Sequence, residues 1–257
     1  MTPKSMTPES ISSESMILGV LYGIGVGPGD PDLITVKGAR ILSRCHHVFV
    51  PKAKHTADSV ALAIARSHLS PDAAVHEVVF PMVTDPAELE QRWRESAKQV
   101  AEVLETGQDA CFLTLGDALL YSTYIYLIRA LRRVLPQARI ITIPGVTAFS
   151  AAAALTEFPV GEGKMPVTII PTADDLENVR QALMKRGTVV LMKIGRRLGA
   201  VLDLLEEAGA IDGGVFVSHA GMAEQRLETD LRKLRGTGPE TGYLSLVLTS
   251  SPAEREG

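Results

Sequence analysis

Cysteine is scarce in this chain of 257 residues, which has two, Cys45 and Cys111. Each lies in an apolar stretch without a CxxC spacing. They read as small buried hydrophobes in a reducing compartment, not as a disulfide or a zinc site. No apolar run reaches membrane-spanning length, so no membrane partner is expected. An excess of one charge is also missing. Twenty-six Lys and Arg face 30 Asp and Glu, a net charge of −4 without a basic stripe, which gives nucleic acid no electrostatic footing. No Ser-His-Asp order, zinc-ligand spacing or paired-carboxylate motif stands out, and no metal site is expected. The opening MTPKSMTPESISSES lacks the apolar core of a signal peptide, so export is not indicated. Its Ser, Thr, Pro and Glu predict a loose tail over residues 1–15, with the fold starting at Met16.

What remains is ordinary for a soluble globular chain: 46% hydrophobic and 22% charged residues, enough for one large or two modest domains. The organising stretch is LYGIGVGPGDPDLIT, Leu21 to Thr35. An apolar run enters alternating glycines, Gly23, Gly25, Gly27 and Gly29, separated by Ile24, Val26 and Pro28. Glycine here permits close approach and positive φ, and Asp30-Pro31-Asp32 then supplies a helix start. A tight strand-to-helix turn is the simpler reading. Two phosphate motifs fail on register. The third slot of G-x-G-x-x-G falls on Pro28 or Asp30, the acidic residue at the end of the second strand is missing, and no P-loop lysine follows. NAD is excluded as the expected cofactor.

Apolar periodicity predicts helices over 33–45, 57–68, 89–104, 119–135, 146–155, 173–185 and 197–208. Strands are predicted at 47–50 (ending at Pro51), 75–80, 110–115, 139–143, 166–170, 188–192, 214–218 and 243–249. Residues 225–230 fit either a strand or a short helix. Arg129, Arg132 and Arg133 match a helix C-terminus, where the dipole favours cations. The alternation predicts an α/β protein of two domains with largely parallel sheets. A composition shift at 135–138 sets the expected boundary, giving domains 16–138 and 139–257. Ligands in such folds sit beyond the carboxyl ends of strands.

The loops after those strand ends carry the polar groups. They are the glycine loop, Lys52 and Lys54 after Pro51, Gly116-Asp117 with Tyr121-Ser122-Thr123, Pro144-Gly145-Val146-Thr147-Ala148, Met192-Lys193-Ile194-Gly195-Arg196-Arg197 and Ser218-His219-Ala220. Singly, each fits a cap, a core histidine or surface charge. Together, from Met16 to Ser250, they resemble the tetrapyrrole methylase family, enzymes of the class III methyltransferase fold that use S-adenosylmethionine (SAM). Lys164-Met165-Pro166, Met192-Lys193-Ile194-Gly195 and Ser218-His219-Ala220 resemble the branch that methylates C20 of precorrin-2 or cobalt-factor II in cobalamin synthesis. Ala118 departs from the proline that many relatives carry after Gly-Asp.

The resemblance implies SAM as methyl donor, leaving S-adenosylhomocysteine, in the cleft between the domains. It places the cofactor against Pro28, Leu115, Gly116, Asp117, Leu120, Thr147, Ala148, Ile194, Ala220 and Leu244. The hydroxyls of Ser122 and Thr123 would lie toward its polar end, and Tyr121 would also contact the cofactor. Asp117 would offset the sulfonium charge or bind the amino group. The acceptor would be a polycarboxylate tetrapyrrole against Gly27, Gly29 and Asp30, its acid groups met by Lys52, Lys54, Arg196 and Arg197. A base for the C20 proton is left open among Asp30, Tyr121, His219, solvent and the substrate itself. The resemblance further implies a cytoplasmic homodimer. Relatives acting at other ring positions, on RNA or on protein stay open, the RNA reading weakened by the charge, as does a non-catalytic nucleotide-binding module.

Overall fold

The structure, a computed structural model, describes residues 17–52, 59–79, 85–172 and 176–251. The expected tail, the start at Met16 and Lys54 lie outside them.

Two five-stranded sheets follow one another along the chain. The first is built from β1 (Val20–Gly25), β2 (His47–Lys52), β3 (Ala74–Val79), β4 (Ala110–Thr114) and β5 (Arg139–Ile143), in the order β3-β2-β4-β1-β5. Every pairing in it is parallel. The crossovers are α1 (Val36–Leu42), α2 (Val60–Ala65), α3 (Pro86–Glu105) and α4 (Tyr124–Val134). Alternation on the strands feeds two faces. Leu21, Phe49 and Phe112 pack under α3 and α4, while Ile24, Val48, Val50 and Leu113 pack under α1 and α2.

The second sheet contains β6 (Val167–Pro171), β7 (Thr188–Met192), β8 (Val215–Ser218), β9 (Arg226–Glu228) and β10 (Ser245–Ser250), in the order β6-β7-β10-β8-β9. Only β6 and β7 pair in parallel here, since β10 returns antiparallel between β7 and β8. The sheets are thus largely parallel taken together, and the second is mixed. Helices α6 (Glu177–Leu183) and α7 (Leu198–Glu207) cover one face, on Val189, Leu191, Phe216 and Val247. Helix α5 (Ala148–Thr156) covers the other, on Val190, Val217 and Leu246.

Several boundaries differ from the periodicity, each for a local reason. The helix expected over 33–45 splits into a 3-10 turn at Pro31–Leu33 and α1. Asp30 caps the turn, Ile34 is extended, and Thr35 restarts the chain by accepting from the Gly38 N–H at 3.1 Å. The strand 47–50 runs on through Pro51, which falls where β2 pairs with β3 alone, its ladder to β4 having ended at Phe49. Helix α4 begins at Tyr124 rather than 119, because a polar turn holds the residues before it. Residues 226–228 form a strand. The boundary at 138/139 is corrected: β5 is the edge of the first sheet, paired with β1, so the change of sheet comes after Ile143.

Two side chains of the first half yield predictions. Tyr124 is fully buried, its hydroxyl 2.9 Å from Thr142 Oγ1, and its ring fills the space above Gly23. Tyr124→Phe leaves the Thr142 hydroxyl without that partner and is expected to cost about 1 kcal/mol, seen as a lower urea midpoint at unchanged slope. His76 Nε2 lies 3.0 Å from His47 Nδ1, and its ring stacks on Phe49 at 4.6 Å. Burial first, then the neighbouring His47, push the His76 pKa below the ordinary histidine value. The unfolded chain therefore takes up this proton more readily. Stability is flat in this group above about pH 6.5 and falls as the pH drops below it. His76→Gln is expected to reduce the loss of melting temperature between neutral pH and pH ~5.5.

Candidate active site

The carboxyl ends of β1, β4 and β5 meet at glycine. Gly27 and Gly116 form an isolated bridge, with N–H to O distances of 3.2 and 2.8 Å. A Cβ on Gly25 would lie 2.6 Å from the Gly116 oxygen, and one on Gly145 would lie 2.2 Å from the same atom. Three loops therefore touch backbone to backbone. Asp117 ties them: Oδ1 accepts from the Leu119 N–H and Oδ2 from the Gly145 N–H, both at 2.9 Å. Buried Ser122 donates to the Ala118 carbonyl. These bonds hold residues 117–122 in a turn despite apolar spacing that suits a helix.

The opposite wall comes from the second sheet. A Cβ on Gly29 would lie 2.2 Å from the Ala220 oxygen, and one on Gly221 would lie 2.6 Å from the Asp30 nitrogen. The Cβ space expected for a ligand at Gly29 is therefore filled by this chain, and Gly27, Pro28 and Gly29 are all buried. The Tyr121 hydroxyl donates to the Ile169 carbonyl on β6 at 3.1 Å, and Lys193 Nζ donates to the Tyr121 carbonyl at 2.9 Å. The His219 N–H donates to the Leu244 carbonyl at 3.0 Å, and its ring tilts against Tyr243 at 5.8 Å. Of five non-glycine residues with positive φ among the described residues, four lie here: Tyr121, Lys193, His219 and Leu244. Such backbone persists only where its surroundings over-determine it, and it gathers at functional sites.

The structure thus brings Pro28, Asp30, Gly116, Asp117, Tyr121, Thr147, Ile194, His219, Ala220 and Leu244 to the loops along one seam. Thr147 caps α5, accepting from the Ser150 N–H at 3.2 Å, which sets Ala148 in the first turn. Leu115 packs beside the α1 and α2 core, Leu120 is half-buried, and Thr123 makes no side-chain cap bond at the start of α4. The basic residues fare differently. Lys52 pairs with Glu77 at 2.7 Å, which already answers its charge. Arg196 and Arg197 stand on a 3-10 turn, Gly195–Arg197, after β7; Arg196 is exposed, with no ion-pair partner among the described residues. Sequence reasoning missed Lys193 as a donor across the seam. The signal available was a lysine set directly after an apolar strand. Desolvation holds its pKa below the ordinary lysine value, and burial raises that of Tyr121.

A cavity of about 650 Å³ opens elsewhere, between α3 and α4, lined by Leu89, Trp93, Tyr126 and Arg129 among others. The strand ends, the left-handed backbone and the convergent donors coincide at the seam, away from that cavity. Among the described residues no group of three or more His, Cys, Asp or Glu is placed to hold a metal, and no helix is long and apolar enough to cross a membrane.

The seam presents backbone amides and carbonyls, small apolar groups, one carboxylate, and an ammonium already engaged by a carbonyl. The chain is 34% identical to the cobalt-precorrin-2 C(20)-methyltransferase of Salmonella typhimurium, over 92% of this chain and 98% of that one. It is 28% identical to a precorrin-2 C(20)-methyltransferase of a Sinorhizobium species, over 93% and 98%. Among solved structures, a cobalt precorrin-4 methyltransferase superposes with a TM-score of 0.67 at 23% identity, over 90% of this chain and 94% of that one. Uroporphyrin-III C-methyltransferase of Thermus thermophilus, solved with S-adenosylhomocysteine, superposes at 0.61 and 18% identity, over 93% and 100%. The model of the tetrapyrrole (corrin/porphyrin) methylases matches residues 20–235, from the glycine strand to the turn after β9. Two sheets meeting rim to rim on bare backbone are how this chain carries that sequence pattern, and it belongs to the tetrapyrrole methylase family.

Proposed function

We propose that this protein transfers a methyl group from SAM to C20 of precorrin-2 or its cobalt form, cobalt-factor II, in cobalamin biosynthesis. Likeness along 98% of the Salmonella C(20)-methyltransferase carries the choice of acceptor. SAM, when bound, supplies an electrophilic methyl on a sulfonium. Asp117, Tyr121, Thr147, Ile194, Ala220 and Leu244, with the rest of the seam, would hold it. What the chain adds is alignment and exclusion of water. Closely packed glycine backbone at Gly25, Gly116 and Gly145 makes one wall rigid, and the loops at Ile194, Ala220 and Leu244 make the other.

For the C20 proton, the bonding argues against Tyr121 as a base. Its hydroxyl donates to a backbone carbonyl, and its raised pKa keeps it protonated. Asp30 Oδ1 accepts from the Asp32 N–H at 2.9 Å, with lone pairs left over, and His219 stands two residues from Gly221, which abuts Asp30. Arg196 remains the clearest cation for an acceptor carboxylate. The protein is further proposed to work in the cytoplasm as a homodimer, a reading that rests on its two buried free thiols and the family resemblance.

The decisive assay is anaerobic methyl transfer from SAM, run in parallel on precorrin-2 and cobalt-factor II with mass detection. One added methyl on the cobalt form alone assigns the oxygen-independent route, and preference for precorrin-2 the other. SAM binding without methyl gain on either would overturn C20 as the target.

A further inference from the structure

Residues 115–123 join β4 to α4 without regular structure and carry most of the cofactor contacts proposed above. Asp117 and Ser122 hold the segment from its own half of the molecule. The tip is held from the other half. Tyr121 gives its hydroxyl to the Ile169 carbonyl at 3.1 Å, and its own carbonyl receives Lys193 Nζ at 2.9 Å. Both partners lie on the second sheet or directly after it. Strand β6 is the edge of that sheet, which leaves Ile169 a carbonyl for a bond from outside. Tyr121 and Lys193 both adopt left-handed backbone, at φ 51 and 56°. Neither is glycine, so the conformation needs outside support. For Tyr121 that support comes at both ends, from Ile169 and from Lys193.

We infer that Tyr121 and Lys193 form a latch across the seam that fixes the 115–123 segment, making Lys193 a positioning residue for the cofactor wall. A lysine held by a backbone carbonyl does not need an acid partner, and none of the described carboxylates pairs with it. The side chain stays exposed, so the Tyr121 carbonyl takes the place of one water on the ammonium and leaves the others. Without the ammonium, the tip keeps one tether and its strained backbone relaxes. The wall then loosens, while the chemistry at a filled site is unchanged. This role for the latch rests on the proposed SAM reading, but the latch itself is testable without it.

The test uses the full chain as Lys193→Met, Lys193→Arg and Tyr121→Phe. Hydrogen exchange of the unliganded protein reads the latch directly. Amides of 118–123 are expected to exchange about tenfold faster in K193M, with those of β4 unchanged. SAM affinity by calorimetry is expected to fall about tenfold in K193M with kcat at saturating SAM within about twofold. K193R, which can still donate to the carbonyl, is expected to restore both. Y121F is expected to loosen the same amides, and the double variant less than the product of the two, because both act on one segment. Unchanged exchange at 118–123 in both K193M and Y121F would overturn the latch. A fall in kcat at unchanged SAM affinity would overturn the positioning role. Failure of the parent protein to bind SAM would instead overturn the reading of the site, leaving the exchange result to stand.

Discussion

Gly145→Ala is expected to lower stability by about 3 kcal/mol, the upper end for overpacking, because nothing near the new methyl can swing aside. Its Cβ would meet the Gly116 oxygen at 2.2 Å and the Gly25 carbonyl carbon and oxygen at 2.7 Å. All are backbone atoms of neighbouring loops. Moving the Gly145 loop away would also break its N–H bond to Asp117 at 2.9 Å. For a chain of this size the expected fall in melting temperature is roughly 6–12 °C. Gly199→Ala is the control. It lies in α7 with nothing within 4 Å of a built Cβ. There the same change should stabilise by about 0.5 kcal/mol, by restricting the unfolded chain. An unchanged melting temperature in Gly145→Ala would show that the three loops do not touch.

That contrast also marks what the sequence could and could not show. Alternating glycines in an apolar strand say that something approaches the backbone closely. They do not say what, and the neighbours turned out to be Tyr124 at Gly23, Gly116 and Gly145 at Gly25, and Ala220 at Gly29. Such partners are 90 to 200 residues away, beyond any local pattern. The strand-helix alternation was legible because each parallel strand and its covering helix carry their own period. Sheet membership was not: Arg139–Ile143 reads as a strand in either half, and only its pairing with Val20–Ile24 places it in the first. The late start of α4 was hidden for a similar reason. Leu120 continues the helical spacing of Tyr124, Leu127 and Leu131, but Asp117 and Ser122 spend their hydrogen bonds on a turn. The turn at Gly116-Asp117 and the cap at Thr147-Ala148 were legible as local structure, because each motif brings its residues together by itself. The surroundings of lone charges were not. Lys52 is matched by Glu77 from the neighbouring strand, and Lys193 acts through a carbonyl that no pattern announces.

Asp117→Ala is the substitution expected to weaken SAM binding most, by about 100-fold, equivalent to about 2.7 kcal/mol. The carboxylate accepts from two backbone amides on different loops, Leu119 and Gly145. Removing it leaves two donors unpaired, at about 1–3 kcal/mol each before water repays part. Asp117→Asn keeps one acceptor and turns an NH2 toward the other amide, so about half the loss is expected, near tenfold in affinity. A competing account makes the charge itself the point, since a carboxylate near a sulfonium is attractive. Calorimetry with S-adenosylhomocysteine, which lacks the sulfonium charge, separates them. If Asp117 braces the loops, both ligands lose affinity by the same ratio, Ala beyond Asn, and the melting temperature of the free protein falls in the same order. If it acts as a counter-charge, Ala and Asn are equally weak toward SAM, S-adenosylhomocysteine is unaffected, and the free protein melts as before. The paired bonds to Leu119 and Gly145 predict the first result, because a carboxylate committed to two amides has already shed much of the field it could offer a ligand.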